Sequence, residues 1–199
     1  MTSPSAAALK DRFAGAVRRV EVSCGDTIVV VEKARAHEIL EWLKDEAGQQ
    51  YNFLTDVTAV EYRDRERPLE VVYQLWSIPR RAFLRVKIEL PKDQPLVVDS
   101  VVDLWAGANW LEREVWDMFG VRFTNHPDLR RILMWEDYSE GHPLRKDFPL
   151  RGRFSRSEQV RRALSIGLEG HYSMDELSYT EARPYLPDDM RMKIDQGGR

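Results

Sequence analysis

The sequence predicts an α+β fold, in which a small, mostly antiparallel sheet is flanked by helices and followed by a long extended C-terminal arm. Three observations support this prediction. Successive segments carry apolar side chains in the patterns typical of strands and are joined by short turns. Other segments repeat their apolar residues at the 3.6-residue period of a helix. From residue 121 onward, prolines and glycines interrupt every periodic run.

The strand segments are Thr27–Val31, Phe53–Tyr62, Leu69–Ile78 and Ala82–Leu90. The first is a short β-branched run, which is typical of a buried strand. The last alternates apolar and polar side chains, as expected for a strand with one buried face. Because the final three segments follow one another through short turns, we expect them to form an antiparallel meander.

Helices are predicted around these strands. Residues 1–20 lack the continuous apolar run of a secretory signal, and we expect a short amphipathic helix there. The segment Ala34–Ala47 places its apolar residues on one face, and Gly48 can end it. Asp99 can act as the N-cap of a further short helix.

The last predicted helix begins at Asn109 and is densely charged. Glu112 stands three residues later, where it can complete a capping box. Arg113 and Asp117 are four residues apart, so we expect them to pair on the helix surface. Glu112 and Glu114 both fall in the first turn, where the helix dipole favours acids. The sequence therefore predicts either a capped amphipathic helix with a solvated acidic face or a helix packed between its own sheet and a partner.

We divide the chain after residue 120. Residues 1–120 are expected to form the α+β body with its N-terminal helix, and residues 121–199 an extended arm that binds a partner. The arm carries Gly-His-Pro-Leu-Arg-Lys-Asp-Phe-Pro-Leu at 141–150, where two prolines favour extended backbone. Long stretches without periodicity are uncommon in compact domains. The apolar residues of the arm are therefore expected to be buried on the body or on a partner.

The composition argues against several classes of protein. The net charge of −3 argues against a dedicated nucleic-acid-binding protein. Cys24 is the single cysteine, whereas an iron–sulfur cluster needs about four thiolates. The sequence contains neither a dinucleotide-binding Gly-x-Gly-x-x-Gly motif nor a P-loop. Its longest aliphatic run, Ile28–Val31, is far shorter than the roughly 20 residues of a membrane-spanning helix.

His126 and His142 are the candidates for a metal site, with Asp128 and Asp147 near them in the sequence. Each histidine precedes a proline in a loop, whereas metal ligands need a fixed common geometry. We therefore expect both imidazoles to bind backbone or carboxylate groups. An independent metal-dependent hydrolase built on these histidines stays open as an alternative.

Three motifs carry a resemblance to a known family. They are Glu-Arg-Glu-Val-Trp-Asp-Met-Phe-Gly at 112–120, His-Pro-Asp-Leu-Arg-Arg-Ile-Leu at 126–133, and the Gly-His-Pro-Leu-Arg-Lys-Asp-Phe-Pro-Leu segment at 141–150. Together they resemble the family of 30 kDa (C-type) subunits of respiratory complex I, the proton-pumping NADH:quinone oxidoreductase. The resemblance covers roughly residues 20–150.

The resemblance implies a non-catalytic subunit of the hydrophilic arm, which provides scaffold and interface to the quinone-site subunit (49 kDa, D-type). It implies that this chain binds no cofactor or metal, and that FMN and the iron–sulfur clusters lie on partner subunits. It also implies a peripheral location at the cytoplasmic face of the bacterial inner membrane. A homologous component of a membrane-bound hydrogenase-type complex is the nearer alternative.

The same resemblance implies structural or interface roles, and no catalytic role, for Glu112, Arg113, Glu114, Asp117, His126, Arg130, Arg131, His142, Arg145, Lys146 and Asp147. Carboxylates or carbonyls of a partner are the expected ligands of four of them, Arg130, Arg131, Arg145 and Lys146. No nucleic-acid partner is expected.

Overall fold

A computed structural model describes residues 3–91, 93–150, 152–158 and 160–161. The chain divides into two compact units, Met1–Arg153 and Phe154–Arg199, and every helix and strand below belongs to the first. That unit extends past residue 120, where the sequence suggested a boundary. The predicted arm from residue 162 onward lies outside the described residues.

The first unit is built on five strands, β1 (Val17–Ser23), β2 (Asp26–Val31), β3 (Phe53–Glu61), β4 (Leu69–Ser77) and β5 (Ala82–Leu90). Their order in the sheet is β1-β2-β5-β4-β3. All neighbouring pairs are antiparallel except β2 and β5, which run parallel. The predicted α+β fold with a mostly antiparallel sheet and a β3-β4-β5 meander is therefore confirmed.

Strand β1 was not predicted. The N-terminal helix α1 covers only Pro4–Arg12, and Val17, which lies within the segment expected to contain the helix, begins β1. A tight turn at Cys24 and Gly25, both at positive φ, joins β1 to β2. Two-residue hairpin turns favour such backbone angles, but Asn-Gly or Asp-Gly is their usual sequence, so this turn was not recognised.

The apolar side of the sheet forms one core with α1 and with α2 (Ala36–Asp45). A short 3-10 turn, Lys33–Arg35, leads into α2. Alternate residues of β5 enter the core and are fully buried, namely Leu84, Val86, Ile88 and Leu90. Ile39, Leu40 and Leu43, on one face of α2, are buried in the same core. Tyr51 closes the core near α1, where its hydroxyl lies 2.9 Å from Ser5 Oγ.

The last helix, α3 (Ala108–Phe119), lies between β6 (Val97–Asp99) and β7 (Arg122–Thr124) in the chain and packs on β3. Strands β6 and β7 pair in parallel as a separate small sheet. The prediction of a helix beginning at Asp99 is wrong. Asp99 ends β6, and its carboxylate accepts a hydrogen bond from the hydroxyl of Thr124. None of the helices that the structure describes is long and apolar enough to cross a membrane.

A candidate scaffold site around helix α3

The charged motif residues meet around α3, because the chain after β7 folds back along the helix. Backbone groups of residues 130–134 contact the side chains of Arg113 and Asp117. Residues 142 and 144 contact carbonyl oxygens at the C-terminal end of the helix. The three sequence motifs therefore form one hydrogen-bonded unit.

Asp117 is fully buried and fixes the loop that follows β7. Its Oδ2 accepts three backbone N–H groups, from Ile132 at 3.1 Å and from Leu133 and Met134 at 2.8 Å. Its Oδ1 accepts Arg131 Nη1 at 2.5 Å. Burial acts to raise the pKa of Asp117, but the Met134 N–H, Arg131 and the other two N–H groups outweigh it and lower that pKa. The carboxylate is therefore held in its charged form.

The prediction that Arg113 and Asp117 pair on the helix surface is wrong. Arg113 instead donates through Nε and Nη2 to the carbonyl oxygens of Arg130 and Arg131, at 3.1 and 2.9 Å. Helical spacing brought the two side chains to one side of α3, but the returning chain occupies that side. Asp117 and Arg113 bind it from neighbouring turns, so this side of α3 is covered, whereas Glu114 remains exposed.

Arg131 links this loop to the Gly141 segment. Besides its bond to Asp117, it donates through Nη2 to the carbonyl oxygen of Gly141 at 3.2 Å. Its guanidinium carbon lies 5.6 Å from the Trp116 ring centroid and 5.1 Å from that of Tyr138. These distances are within the usual range for cation–π contact. No local sequence pattern indicates this contact, since the partners are 15 and 7 positions away.

His142 closes the C-terminal end of α3. Its Nδ1 lies 2.9 Å from the carbonyl oxygen of Asp117, so Nδ1 carries a proton and donates. The N–H of Leu144 donates to the carbonyl oxygen of Met118 at 3.0 Å. Helix-terminal carbonyls have no partner within their helix, and these two bonds satisfy them.

Gly120 makes this closure possible. As predicted, it ends the helix in the left-handed conformation, with φ of 79°, and its N–H bonds to the carbonyl oxygen of Trp116. A Cβ atom at this position would lie 2.6 Å from Cδ2 of His142. The glycine therefore serves both the backbone angle and the close approach of the imidazole.

Glu112 does not form a capping box. Helix α3 begins at Ala108, and the fully buried carboxylate of Glu112 accepts the N–H of Val101 at 2.7 Å and the hydroxyl of Ser100 at 2.6 Å. Burial raises the pKa of Glu112 from 4.5 to about 7, against the opposing effect of these two bonds. Glu112 thus ties α3 to the chain that follows β6.

His126 anchors the start of the returning chain to the first turn of α3. Its buried ring accepts the N–H of Asp128 at Nδ1, at 3.1 Å, and Nε2 lies 3.1 Å from the carbonyl oxygen of Asn109. Because Nδ1 accepts, the proton is on Nε2, which donates to that carbonyl. Nε2 is also 4.0 Å from Oε2 of Glu112.

The two histidines do not share a site. They bind carbonyl oxygens of Asn109 and Asp117, which lie eight residues apart and therefore about 12 Å along the helix. Among the described residues, no cluster of three or more histidine, cysteine or acidic side chains could hold a metal ion.

The remaining predicted residues lie at the edge of this unit. Arg145 pairs with Glu61 at 3.2 Å and more loosely with Asp147 at 3.6 Å. Glu61, which the sequence did not single out, also accepts the backbone N–H of Lys146 at 2.6 Å. The side chains of Lys146 and Asp147 are exposed. Glu61 thus fastens the Gly141 segment to the end of β3.

Arg130 and Glu114 face solvent. Arg130 pairs with Asp128 two residues earlier, at 2.8 Å, and both side chains are more than half exposed. Pairs of this kind contribute about 0–1 kcal/mol. Of the four cations expected to bind a partner, Arg131 and Arg145 thus have main partners within this chain, while Arg130 and Lys146 are exposed.

The fold and this site define a class of protein, an α+β protein whose motif residues hold its own loops against one helix. A sequence profile of the family described as "Respiratory-chain NADH dehydrogenase, 30 Kd subunit" matches residues 29–154. The C subunit of NADH-quinone oxidoreductase from Geobacter sulfurreducens is 48% identical over 145 residues, which cover 72% of this chain and 87% of that protein. The chain belongs to this family, as its three motifs predicted.

Another relative and one solved structure agree with this assignment, and a second solved structure shares the fold. The second C subunit (C 2) of NADH-quinone oxidoreductase from Rhizobium etli is 43% identical over 146 residues, covering 73% of this chain and 76% of the relative. The trypsin-resistant fragment (1-134) of Nqo5 is 32% identical with a TM-score of 0.54, over 62% of this chain and 96% of the fragment. A chain of the membrane-bound sulfane sulfur reductase, an archaeal respiratory membrane complex, shares the fold at 22% identity and a TM-score of 0.59, over 85% of this chain and 94% of that chain.

Replacing Gly120 by alanine is expected to destabilise the protein by about 2 kcal/mol or more, because alanine is strained at positive φ. The added methyl group would also displace His142. Gly107→Ala is the matched control, since Gly107 has φ of −64° and open space around it. There the loss of helix-capping preference opposes the entropic gain, so stability should stay within about 1 kcal/mol. Urea unfolding followed by circular dichroism measures both, and equal losses would contradict the role given to Gly120.

Asp117→Asn is expected to lower the free energy of unfolding by about 3 kcal/mol or more, because it leaves Arg131 without its buried partner. The exposed Asp147→Asn is the control and should change stability little. Hydrogen exchange supplies a second measurement. The N–H groups of residues 132–134 should lose protection in Asp117→Asn alone, and unchanged protection would refute the contact.

The pKa of Glu112 predicts a pH dependence. Because it is raised in the folded state, the proton on Glu112 stabilises the fold below the unfolded pKa, and this stabilisation is lost as pH rises through about 7. Relative to Glu112→Gln, the wild-type protein should lose about 3 kcal/mol between about pH 4 and about pH 8. Urea unfolding at several pH values measures this difference. A difference that is flat across this range would show that Glu112 titrates normally.

Proposed function

We propose that this chain is a non-catalytic peripheral-arm subunit of a proton-translocating NADH:quinone oxidoreductase. In such a complex electrons pass from NADH through FMN and iron–sulfur clusters to quinone, and partner subunits would hold these cofactors. The observation that carries the proposal is the family match over residues 29–154. The α3 unit supports it, because its motif residues bind backbone and one another, which suits a scaffold.

The chief partner in this proposal is the quinone-site subunit (49 kDa, D-type), which this chain would contact mainly through the arm that starts at residue 121. Apolar side chains exposed in this stretch support such a contact, namely Leu133, Leu144 and Leu150. Arg130 and Lys146 add exposed cations in the same stretch of chain. The bonds of Asp117, His142 and Glu61 hold this stretch in place before it meets a partner, which reduces the entropy lost on docking.

The chain would reach the membrane only through the complex, at the cytoplasmic face of the bacterial inner membrane. The hydrogenase-type alternative shares the fold, as the sulfane sulfur reductase chain illustrates. Relatives named as NADH-quinone oxidoreductase subunits, at 43–48% identity, favour the first assignment. The metal-dependent hydrolase receives no support from the separate positions of His126 and His142.

Affinity purification tests the proposal. The full chain is tagged in its own host, the membranes are solubilised in mild detergent, and co-purifying subunits are identified by mass spectrometry. We expect a quinone-site subunit together with flavin and iron–sulfur subunits, in a complex that oxidises NADH with quinone. An untagged strain is the control.

Two results would contradict the proposal. Stoichiometric flavin or iron–sulfur absorbance in the isolated chain would overturn its non-catalytic role. A purified complex that accepts electrons from hydrogen or ferredoxin and not from NADH would favour the hydrogenase-type alternative.

A further inference from the structure

Glu112 differs from the two other fully buried carboxylates of the described residues, because no cation pairs with it. Asp117 pairs with Arg131 at 2.5 Å, and Glu70 pairs with Lys87 at 2.7 Å. Within the described part of the chain, neither an arginine nor a lysine forms an ion pair with Glu112. A charge that is buried without a cation is costly, and such a group takes up a proton instead.

His126 lies close to Glu112 but does not serve as its cation. Its Nε2 is 4.0 Å from Oε2 of Glu112 and donates to the carbonyl oxygen of Asn109. Its Nδ1 accepts the N–H of Asp128, so this nitrogen carries no proton. A second ring proton would break the contact with Asp128. The hydrogen bonds therefore hold the imidazole in its neutral form.

The side chains that follow β6 and those of α2 do not neutralise Glu112 either. Asp103, after β6, has the same charge as an ionised Glu112 and opposes its ionisation. His37 on α2 has the opposite effect, but its Nε2 lies 2.9 Å from Asp103 and is engaged there. Asp99, at the end of β6, adds a further negative charge to this region.

The strands beside α3 contribute no positive charge. The two buried residues of β3, Val57 and Ala59, are apolar. Tyr73 on β4 pairs with Val57 across the sheet, and its buried hydroxyl has no hydrogen-bond partner among the described residues. Its phenol interacts electrostatically with Glu112, but a phenol cannot supply a positive charge. A proton is therefore what neutralises Glu112 in these surroundings.

Glu112 holds three successive residues of the chain between β6 and α3, and we call this contact the Glu112 junction. Its carboxyl group accepts the hydroxyl of Ser100 at 2.6 Å and the N–H of Val101 at 2.7 Å. The Ser100 oxygen in turn accepts the N–H of Val102 at 3.2 Å. Ser100 also lines a surface groove of about 390 Å³, together with His37, Asp99, Asp103 and Asn125. Water thus has access to a direct partner of the buried carboxyl group.

We propose that the Glu112 junction is a pH-sensitive switch, in which the proton on Glu112 keeps residues 100–102 against α3 and its loss opens the junction to water through the groove. Opening hydrates the ionised carboxylate and so removes the cost of burying its charge. Burial raises the pKa of Glu112 to about 7, so the proton is lost near neutral pH. The inference concerns a local opening below the level of global unfolding, and it does not depend on the proposed function.

Amide hydrogen exchange in the full chain tests the switch, with protection measured by NMR as the intrinsic rate divided by the observed rate. The protection of the Val101 and Val102 N–H groups should fall about 50-fold between about pH 5 and about pH 8, because the open state has an ordinary carboxyl pKa and the closed state a raised one. In Glu112→Gln, which has no proton to lose, protection should not vary with pH. Protection that is equally constant in the wild-type chain would overturn the inference.

Urea at concentrations far below the unfolding midpoint separates a local opening from global unfolding. A local opening exposes little surface, so exchange at Val101 and Val102 should be nearly independent of urea. Exchange at Ile88, in the core of β5, should accelerate with urea because it requires global unfolding. If Val101 and Val102 show the same urea dependence as Ile88, the junction does not open by itself and the inference is overturned.

Direct titration of the carboxyl group provides a measurement that needs no folded Glu112 variant. Carbon-13 NMR of glutamate-labelled full chain should show one carboxyl group with a midpoint near pH 7, whereas exposed glutamates titrate at about 4.3. Observation of every glutamate midpoint below about pH 5 would overturn the switch.

Two serine variants test whether the Ser100 contact belongs to the switch. Ser100→Ala removes a donor that favours the charged carboxylate, so the high midpoint should rise by about half a pH unit or more. Ser77→Ala is the matched control, because this serine is also fully buried but its hydroxyl has no partner in the described structure. Its midpoint should equal that of the wild-type chain. Equal midpoints in Ser100→Ala and wild type would overturn the junction as the site of the switch.

Discussion

The buried carboxylate of Asp117 is the contact on which the motif region depends. It accepts three successive backbone N–H groups and pairs with Arg131, so one side chain satisfies donors that the loop could not otherwise bury without cost. Arg131 also donates to the carbonyl oxygen of Gly141, and the neighbouring His142 donates to the carbonyl oxygen of Asp117. The loops after β7 are therefore held by a connected set of hydrogen bonds that begins and ends at Asp117.

Local chemistry was enough to predict much of this fold. Periodicity located α2 and the β3-β4-β5 meander, and Gly120 marked the end of α3, because these features depend on neighbouring residues. Contacts made across long sequence distances were mispredicted. Helical spacing correctly placed Arg113 and Asp117 on one side of α3, but it could not show that residues 130–134 pass over that side. The prediction that Glu112 completes a capping box failed for the same reason, because local spacing could not show its contacts with Ser100 and Val101.

The three motifs that carried the family resemblance are also the three segments that meet around α3. Glu112 binds the chain after β6, His126 binds the first turn of the helix, and His142 binds its last turn. When the charged residues of these motifs are considered one at a time, they suggest a catalytic or ligand-binding site. In the folded chain most of them satisfy backbone groups, which explains how segments with so little periodicity remain ordered against the body.

This arrangement gives the two sides of the sheet different surroundings. The α3 unit packs on the core side of the sheet through β3, whereas Phe53 and Trp76 lie on the opposite side. The core between them is closely packed and apolar, and such interiors deform little. The loops that Asp117, Arg131 and His142 hold are therefore fixed to a support that keeps its shape.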